Sequence, residues 1–216
     1  MRITVLWASL ASYSCAFFRE IANLGCPLQI VYQPVDEEAP YQGFDLSFCT
    51  AAMEDFKDTK ARLDSMVSDF RPDCILMSTW CYPHFRKLAR AVRKKGVYVV
   101  SAMDNQWHGS LRQHIGVLSS RFFLKPCIDT FFLPGDRQAY FARKLGYGKV
   151  IYGFGATDVR QYSSAIPITR RPGNFLFFGR LLPIKGVREL IDAYAIYRKA
   201  VKEPWGLKVV GKGPMD

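Results

Sequence analysis

Short apolar runs alternate with helix-length amphipathic segments along most of this chain, and that alternation limits the fold more than any other feature. Residues 3–8, 28–32, 73–78, 97–102, 130–133 and 150–153 read as strands, with a weaker candidate at 44–49. Between them, residues 15–24, 52–70, 84–95, 109–124 and 136–145 carry helical patterning. Continuously apolar strands separated by helical crossovers predict a mostly parallel sheet covered on both faces. The expected class is α/β.

After Asp158 the pattern lapses. Residues 164–173 hold two prolines and a glycine without periodicity, and they read as a linker between a first domain at 1–163 and a second unit at 174–216. That second unit is one strand–helix–strand: 175–178, 187–201 and 207–210. Val187, Leu190, Ile191, Tyr194 and Val201 line one side of its helix, and Glu203-Pro204 stops it. About forty residues bury too little apolar surface for an independent core.

With 49% hydrophobic and 23% charged residues, the composition is that of a folded protein, and no stretch approaches the ~18 apolar residues of a membrane span. Met1-Arg2 followed by an uncharged run to Phe18 mimics a secretory signal. Thr4, Ser9, Ser12 and Ser14 interrupt it, and its apolar part is only strand-length, so it reads as the first strand. Six cysteines (Cys15, Cys26, Cys49, Cys74, Cys81, Cys127) without a C-x-x-C pair suit reduced thiols in a cytoplasmic protein. Cys81-x-x-His84 is the one metal-like spacing. A zinc site needs four ligands and no second pair stands near, so no metal is expected.

The net charge of +11 is uneven. Between Cys74 and Ile128 stand nine lysines and arginines (Arg86, Lys87, Arg90, Arg93, Lys94, Lys95, Arg112, Arg121, Lys125) against one acid, Asp104. Such a patch suits nucleic acid, anionic lipid or a phosphorylated ligand, and a solvated face has the same composition. Over 84–95, Phe85, Leu88, Ala89 and Val92 form an apolar stripe opposite Arg86, Lys87, Arg90, Arg93 and Lys94. This is the pattern of a helix lying on acidic lipid and equally of an ordinary surface helix.

The stretch NFLFFGRLLPIKGVREL, from Asn174 to Leu190, carries the most chemistry. In an open parallel sheet, ligands sit beyond the carboxyl ends of the strands, where loops lead into helices. Gly179 removes a side chain where the strand ends. Gly186 opens a helix whose free N–H groups carry partial positive charge. Arg180 adds a planar fork suited to two phosphate oxygens, and Lys185 a compact point charge. Together they favour an anion, with a diphosphate as the natural candidate. The competing reading pairs Arg180 with a surface carboxylate and lays Lys185 along the surface. A Walker loop is excluded because Lys185-Gly186-Val187 lacks the required Ser/Thr, and Gly211-x-Gly213 lacks the third glycine of a dinucleotide fingerprint.

FLFFGRLLPIKGVRELIDAY followed by LKVVGKGP resembles the start of the C-terminal domain in retaining glycosyltransferases of the GT-B fold, family four. The segment DTFFLPGDRQAYFARKLGYGKVIYGFGATD is similar to the end of the N-terminal domain in the same enzymes. The resemblance implies a GT-B type α/β protein: a Rossmann-like acceptor-side domain with a parallel sheet, then the first β-α-β unit of a second Rossmann-like domain. It implies sugar transfer from a nucleotide-sugar donor to a glycan, lipid-linked or small-molecule acceptor with retention. Gly179, Arg180, Lys185 and Gly186 would grip the donor diphosphate, and Gly211 and Gly213 would form a donor loop. Neither a cofactor nor a metal is expected.

In that fold the acceptor lies on the first domain. Two strand-end loops have suitable chemistry, 78–84 and 103–108. Trp80, Tyr82 and Trp107 can stack on sugar rings, Asn105 can hydrogen-bond hydroxyls, and Asp104 and His108 are the candidate catalytic residues. Asp104 can equally cap the following helix, and His108 can be an ordinary surface histidine. The basic patch suits a lipid-linked acceptor and peripheral contact with an anionic membrane on its cytoplasmic face.

Two departures stand out. The first loop, WASLASYSCAFF, has no glycine, whereas related enzymes often place glycines there. Related enzymes also carry two glutamates eight positions apart further along the second domain, and Asp216 precedes any such segment. The chain is therefore expected to be an incomplete enzyme with negligible transfer on its own. Rival readings are a nucleic-acid-binding domain, for which no zinc-finger or RNP motif is present and nucleic acid is not the expected partner, and a non-catalytic partner subunit.

Overall fold

The structure, a computed structural model, describes residues 1–33, 43–54, 60–155, 157–159 and 173–215. The chain divides into two compact units, Met1–Val159 and Arg160–Asp216. Most of the expected linker, 164–172, lies outside the described residues.

In the first unit the elements run β1 (Ile3–Trp7), α1 (Ser12–Asn23), β2 (Leu28–Tyr32), β3 (Ala51–Glu54), α2 (Lys60–Phe70), β4 (Cys74–Met77), α3 (Pro83–Arg93), β5 (Tyr98–Ala102), α4 (Leu111–Phe123), β6 (Thr130–Leu133), α5 (Asp136–Lys144) and β7 (Val150–Tyr152). The seven strands form one sheet in the order β3-β2-β1-β4-β5-β6-β7, and every pairing is parallel. Val5 of β1 stands in register with Ile30 of β2 on one side and Leu76 of β4 on the other. The strands expected from apolar runs are all present, within a residue at each end. The exception is the weak candidate at 44–49, which is not a strand. The edge strand β3 falls at Ala51–Glu54, overlapping the start of the segment expected to be helical (52–70), and α2 begins only at Lys60.

Right-handed crossovers explain the layering. The connection from β1 to β2 runs one way along the sheet and those from β3 onward run the other, so α1 covers one face and α2 to α5 the opposite one. Two hydrophobic clusters match. One joins Leu63 and Val67 of α2, Phe85 and Leu88 of α3, Leu124 beyond α4 and Phe141 of α5 to Ile75, Val99 and Phe131 of the sheet. The other joins Cys15 and Phe18 of α1 to Val5, Ile30 and Val100. Helix ends follow local chemistry. Pro83 opens α3, the Ser110 hydroxyl accepts from the Gln113 amide at 3.3 Å to cap α4, and Asp136 begins α5 while Arg143 and Lys144 end it.

The second unit contains β8 (Asn174–Phe178), a single 3-10 turn at Pro183–Lys185, α6 (Val187–Ala200) and β9 (Gly206–Val210). β8 and β9 pair in parallel, Asn174 opposite Gly206 through Phe178 opposite Val210. On one side of this ribbon Phe175 packs among Tyr194, Tyr197 and Trp205. Leu176 and Phe178 remain exposed.

All six cysteines are free. Burial pushes the thiols of Cys15, Cys49 and Cys74 up to about 11 from an ordinary 9.0. Between those values the unfolded chain has shed protons that the folded chain keeps, so rising pH favours unfolding there. The urea midpoint is expected to hold steady from neutral pH to about 8 and to fall by pH ~10, and replacing the three cysteines with alanine should flatten that fall. An identical decline in the triple variant would refute the assignment.

Candidate functional site

Every connection that leaves a carboxyl strand end does so at one end of its sheet, because all strands in each sheet run the same way. In the first unit the crossover direction changes between β1 and β4. There the Ala8 amide donates to the Ser78 hydroxyl at 2.8 Å and the Ser78 amide to the Leu6 carbonyl at 2.9 Å. The glycine-free loop into α1 is held by Ser14, whose hydroxyl accepts from the Ala11 amide (2.9 Å) and donates to the Ala11 carbonyl (2.8 Å).

The loop after β4 carries Trp80 and Tyr82, both half-buried. Trp80 meets Phe131 edge-on with ring centroids 5.3 Å apart, and Tyr82 meets Phe85 at 5.4 Å. Arg86 closes the loop by donating to the carbonyls of Trp80 (2.5 Å) and Cys81 (3.0 Å). After β5, Asp104, Asn105 and His108 are exposed and Trp107 is half-buried. Gln113 braces this loop, accepting from the His108 amide and donating to the Gln106 carbonyl, each at 2.7 Å. Gln138 donates to the Asp104 carbonyl at 3.1 Å. Since Ser110 caps α4, that role does not fall to the Asp104 carboxylate.

Trp107 packs against Phe141 (5.6 Å) and His114 (4.9 Å), with the Lys144 ammonium 4.8 Å from its ring centre. Each of the three aromatic side chains thus spends part of its ring on the fold. Beside Trp107 opens a recess of about 470 Å³ lined by Gln106, Trp107, Asp136, Arg137 and Tyr140. The last three residues were not singled out in the sequence. Their signal was positional, since they begin a helix directly after a strand at the same sheet end. Tyr152 donates to the Asp136 carboxylate at 3.0 Å, and that bond holds the phenol above its ordinary pKa.

The basic patch is smaller than its sequence suggests. Arg93 donates to Asp129 (2.7 Å) and to the Lys125 carbonyl (2.6 Å), while Lys125 donates to the Gly146 carbonyl and lies 3.9 Å from the Tyr147 ring centre. With Arg86 also engaged, Lys87, Arg90, Lys94, Lys95, Arg112 and Arg121 are left exposed. The apolar stripe of α3 is buried in the core, so α3 presents only charge outward. Among the described residues no group of three or more His, Cys, Asp or Glu could hold a metal, and no helix is long and apolar enough to cross a membrane.

In the second unit, Gly179 and Arg180 follow β8 directly. Arg180 is half-buried, and Lys185 is exposed at the end of the 3-10 turn. Buried Leu181 and Val187 anchor the connection between them and α6. Gly186 caps α6 in the left-handed region, with φ at 70° and ψ at 29°, where a side chain is strained. Glu189 occupies the first helical turn, and its carboxylate would lie 3.7 Å from a β-carbon at position 186.

Gly211 and Gly213 permit a backbone crossing. The Gly179 amide donates to the Val210 carbonyl (3.0 Å) and the Leu181 amide to that of Lys212 (2.9 Å). A β-carbon on residue 211 would overlap the Gly179 carbonyl oxygen, and one on residue 213 would come within 2.5 Å of that of Leu181. The two strand-end loops are in contact because these side chains are absent.

In fold, the chain is similar to the lipopolysaccharide outer core galactosyltransferase WaaB in its apo form, with a TM-score of 0.56 and 12% identity, covering 99% of this chain and 62% of that one. It is also similar to HepE of Anabaena, solved in complex with UDP, with a TM-score of 0.59 and 18% identity, covering 99% of this chain and 61% of that one. The chain spans about three-fifths of the length of each. No protein-family model matches it, and neither does any curated protein sequence. The likeness is one of fold: a Rossmann-like α/β unit with a parallel sheet, followed by a β-α-β unit, of the GT-B type.

Gly211→Ala should force the two strand-end loops apart at a cost of about 1–3 kcal/mol. Hydrogen exchange is expected to show lost protection at the Gly179 and Leu181 amides, with Val99 and Met103 in the first unit unchanged. Undiminished protection at those two amides would contradict the crossing.

Proposed function

We propose that this chain is a glycosyltransferase that moves a sugar from a nucleotide-sugar donor to an acceptor, with retention at the anomeric carbon. What carries the reading is the connection from β8 to α6. It places a guanidinium, an ammonium and a helix mouth within seven residues at the carboxyl end of a parallel sheet. Support comes from the GT-B likeness to one protein named a galactosyltransferase and to another solved with UDP.

Breaking the bond between sugar and diphosphate concentrates negative charge on the departing oxygen. Arg180 and Lys185 would hold that diphosphate, with Gly179 and Gly186 allowing its close approach. Two cations and the amides of the first turn of α6 would offset the developing charge without a divalent metal. Gly211 and Gly213, by keeping the β9 loop against Gly179 and Leu181, would fix the floor of the donor site.

The acceptor would meet the loops after β4 and β5. Asp104 and His108 are the candidate groups toward its attacking hydroxyl. Asn105, Trp80, Tyr82 and Trp107 would bind it, the last beside the recess with Tyr140 and Arg137. A glycan, a small molecule or a lipid-linked sugar has the required hydroxyls. The exposed charges of α3 suit the last of these, in a cytoplasmic protein that touches an anionic membrane peripherally.

Calorimetric titration with UDP and GDP, in EDTA, is expected to give saturable binding by one of them. Arg180→Ala and Lys185→Ala should each weaken it at least tenfold, or about 1.4 kcal/mol. Affinity untouched by both changes would sink the donor assignment.

A further inference from the structure

Helix α4 is built inside out. The side chains it turns to the core are modest: Val117 packs there, Ser120 is buried, and Leu124 follows at the helix end. Its large apolar residues point away. Leu111 is 77% exposed, Ile115 57%, Leu118 79% and Phe122 69%. At 3.6 residues per turn these four fall within an arc of about 60° on the side opposite Val117 and Ser120. Phe123, also exposed, widens the apolar surface at the carboxyl end. Surface leucines scattered singly need no explanation, whereas four bulky apolar groups in one unbroken line mark a contact surface.

The charges beside the stripe select what it contacts. Arg112 and Arg121 flank it about a quarter-turn away on opposite sides, and both are exposed. From Asn105 through Ile128 the chain has no acid. On the same side of the sheet, neighbouring α3 adds exposed Lys87, Arg90 and Lys94. A second copy of the chain is a poor occupant. Stripes packed face to face, parallel or antiparallel, would bring Arg112 and Arg121 of both copies to the rim of one apolar contact, with no acid on either helix, in a protein already at +11. An apolar line with cations on both shoulders and no anion is complementary to lipid acyl chains beneath anionic head groups.

We propose that α4 is an interfacial helix that inserts Leu111, Ile115, Leu118 and Phe122 into the outer layer of an anionic bilayer, with Arg112 and Arg121 at the head groups. This deepens, and rests on, the peripheral membrane contact suggested above, and it is independent of sugar transfer. It assigns insertion to α4 and leaves α3 a purely electrostatic part, since the apolar stripe of α3 is already in the core.

Flotation of the chain with phosphatidylcholine vesicles, with and without phosphatidylglycerol, tests it. Binding is expected only with the anionic lipid, and part of it should survive high salt. Leu118→Ser with Phe122→Ser leaves charge and core untouched and should lower partitioning about tenfold or more, with the thermal melt unchanged. Ile115→Ser, as a second variant, should do the same to a smaller degree. Lys87→Gln with Arg90→Gln should weaken binding while leaving the salt-resistant fraction. If the chain floats with anionic vesicles and the serine variants float equally, the α4 assignment falls and a charge-only contact stands. If the wild-type chain does not float at all, both fall. A monomer–dimer equilibrium in sedimentation velocity that the serine variants abolish, without vesicle binding, would give the stripe to a second copy and overturn the proposal.

Discussion

A parallel sheet cannot be closed by hairpins, and both its faces must be kept from water. That constraint organises the first unit. Each return to the starting end needs a crossover, helices α1 to α5 each lie in one, and the fixed hand of the crossover decides which face a helix covers. Because the chain starts in the middle of the sheet, moves outward and then returns past β1, α1 covers one face while α2 to α5 share the other. The same constraint collects every outgoing loop at one sheet end, where residues far apart in sequence become neighbours.

A few polar groups hold this arrangement in register. Asp129, just before β6, accepts from Arg93 of α3 with one carboxylate oxygen and from the Val99 amide of β5 with the other, at 2.7 and 2.9 Å. One side chain thereby ties a helix to two adjacent strands. Gln29 does similar work in the interior. It accepts from the Thr4 hydroxyl of β1 at 3.0 Å and donates to the Met66 carbonyl of α2 at 3.1 Å, so a buried amide has partners on both ends. These contacts lie away from the carboxyl strand ends and leave the loops there to serve chemistry.

The central strands were legible because burial on both faces demands unbroken apolar runs, as in Thr130–Leu133. β3 was not, since an edge strand reading Ala-Ala-Met-Glu has neither alternation nor bulk and sits before a true helix. The Gly179–Gly186 connection was legible from its charges and glycines. The work of Gly211 and Gly213 was not, because a close approach between two loops leaves no local trace. Trp80, Tyr82 and Trp107 could be picked out as residue types, but how much ring the core would use depends on distant partners such as Phe131 and Phe141. For α3 and α4, periodicity announces a stripe without saying whether it faces inward. Only the packing distinguishes Phe85, in the core, from Leu118, in solvent.

The crossing of the β8 and β9 loops has a mechanical consequence. Backbone hydrogen bonds, donated by the Gly179 amide to the Val210 carbonyl, by the Leu181 amide to the Lys212 carbonyl and by the Met215 amide to the Leu181 carbonyl, lace the two segments together without side-chain intermediaries. Arg180 lies between the first two stitches, so a force drawing its backbone sideways is transmitted to Lys212 at once, with no rotamer to absorb it. Any displacement of the Arg180 backbone must therefore carry Lys212 along or break the lacing.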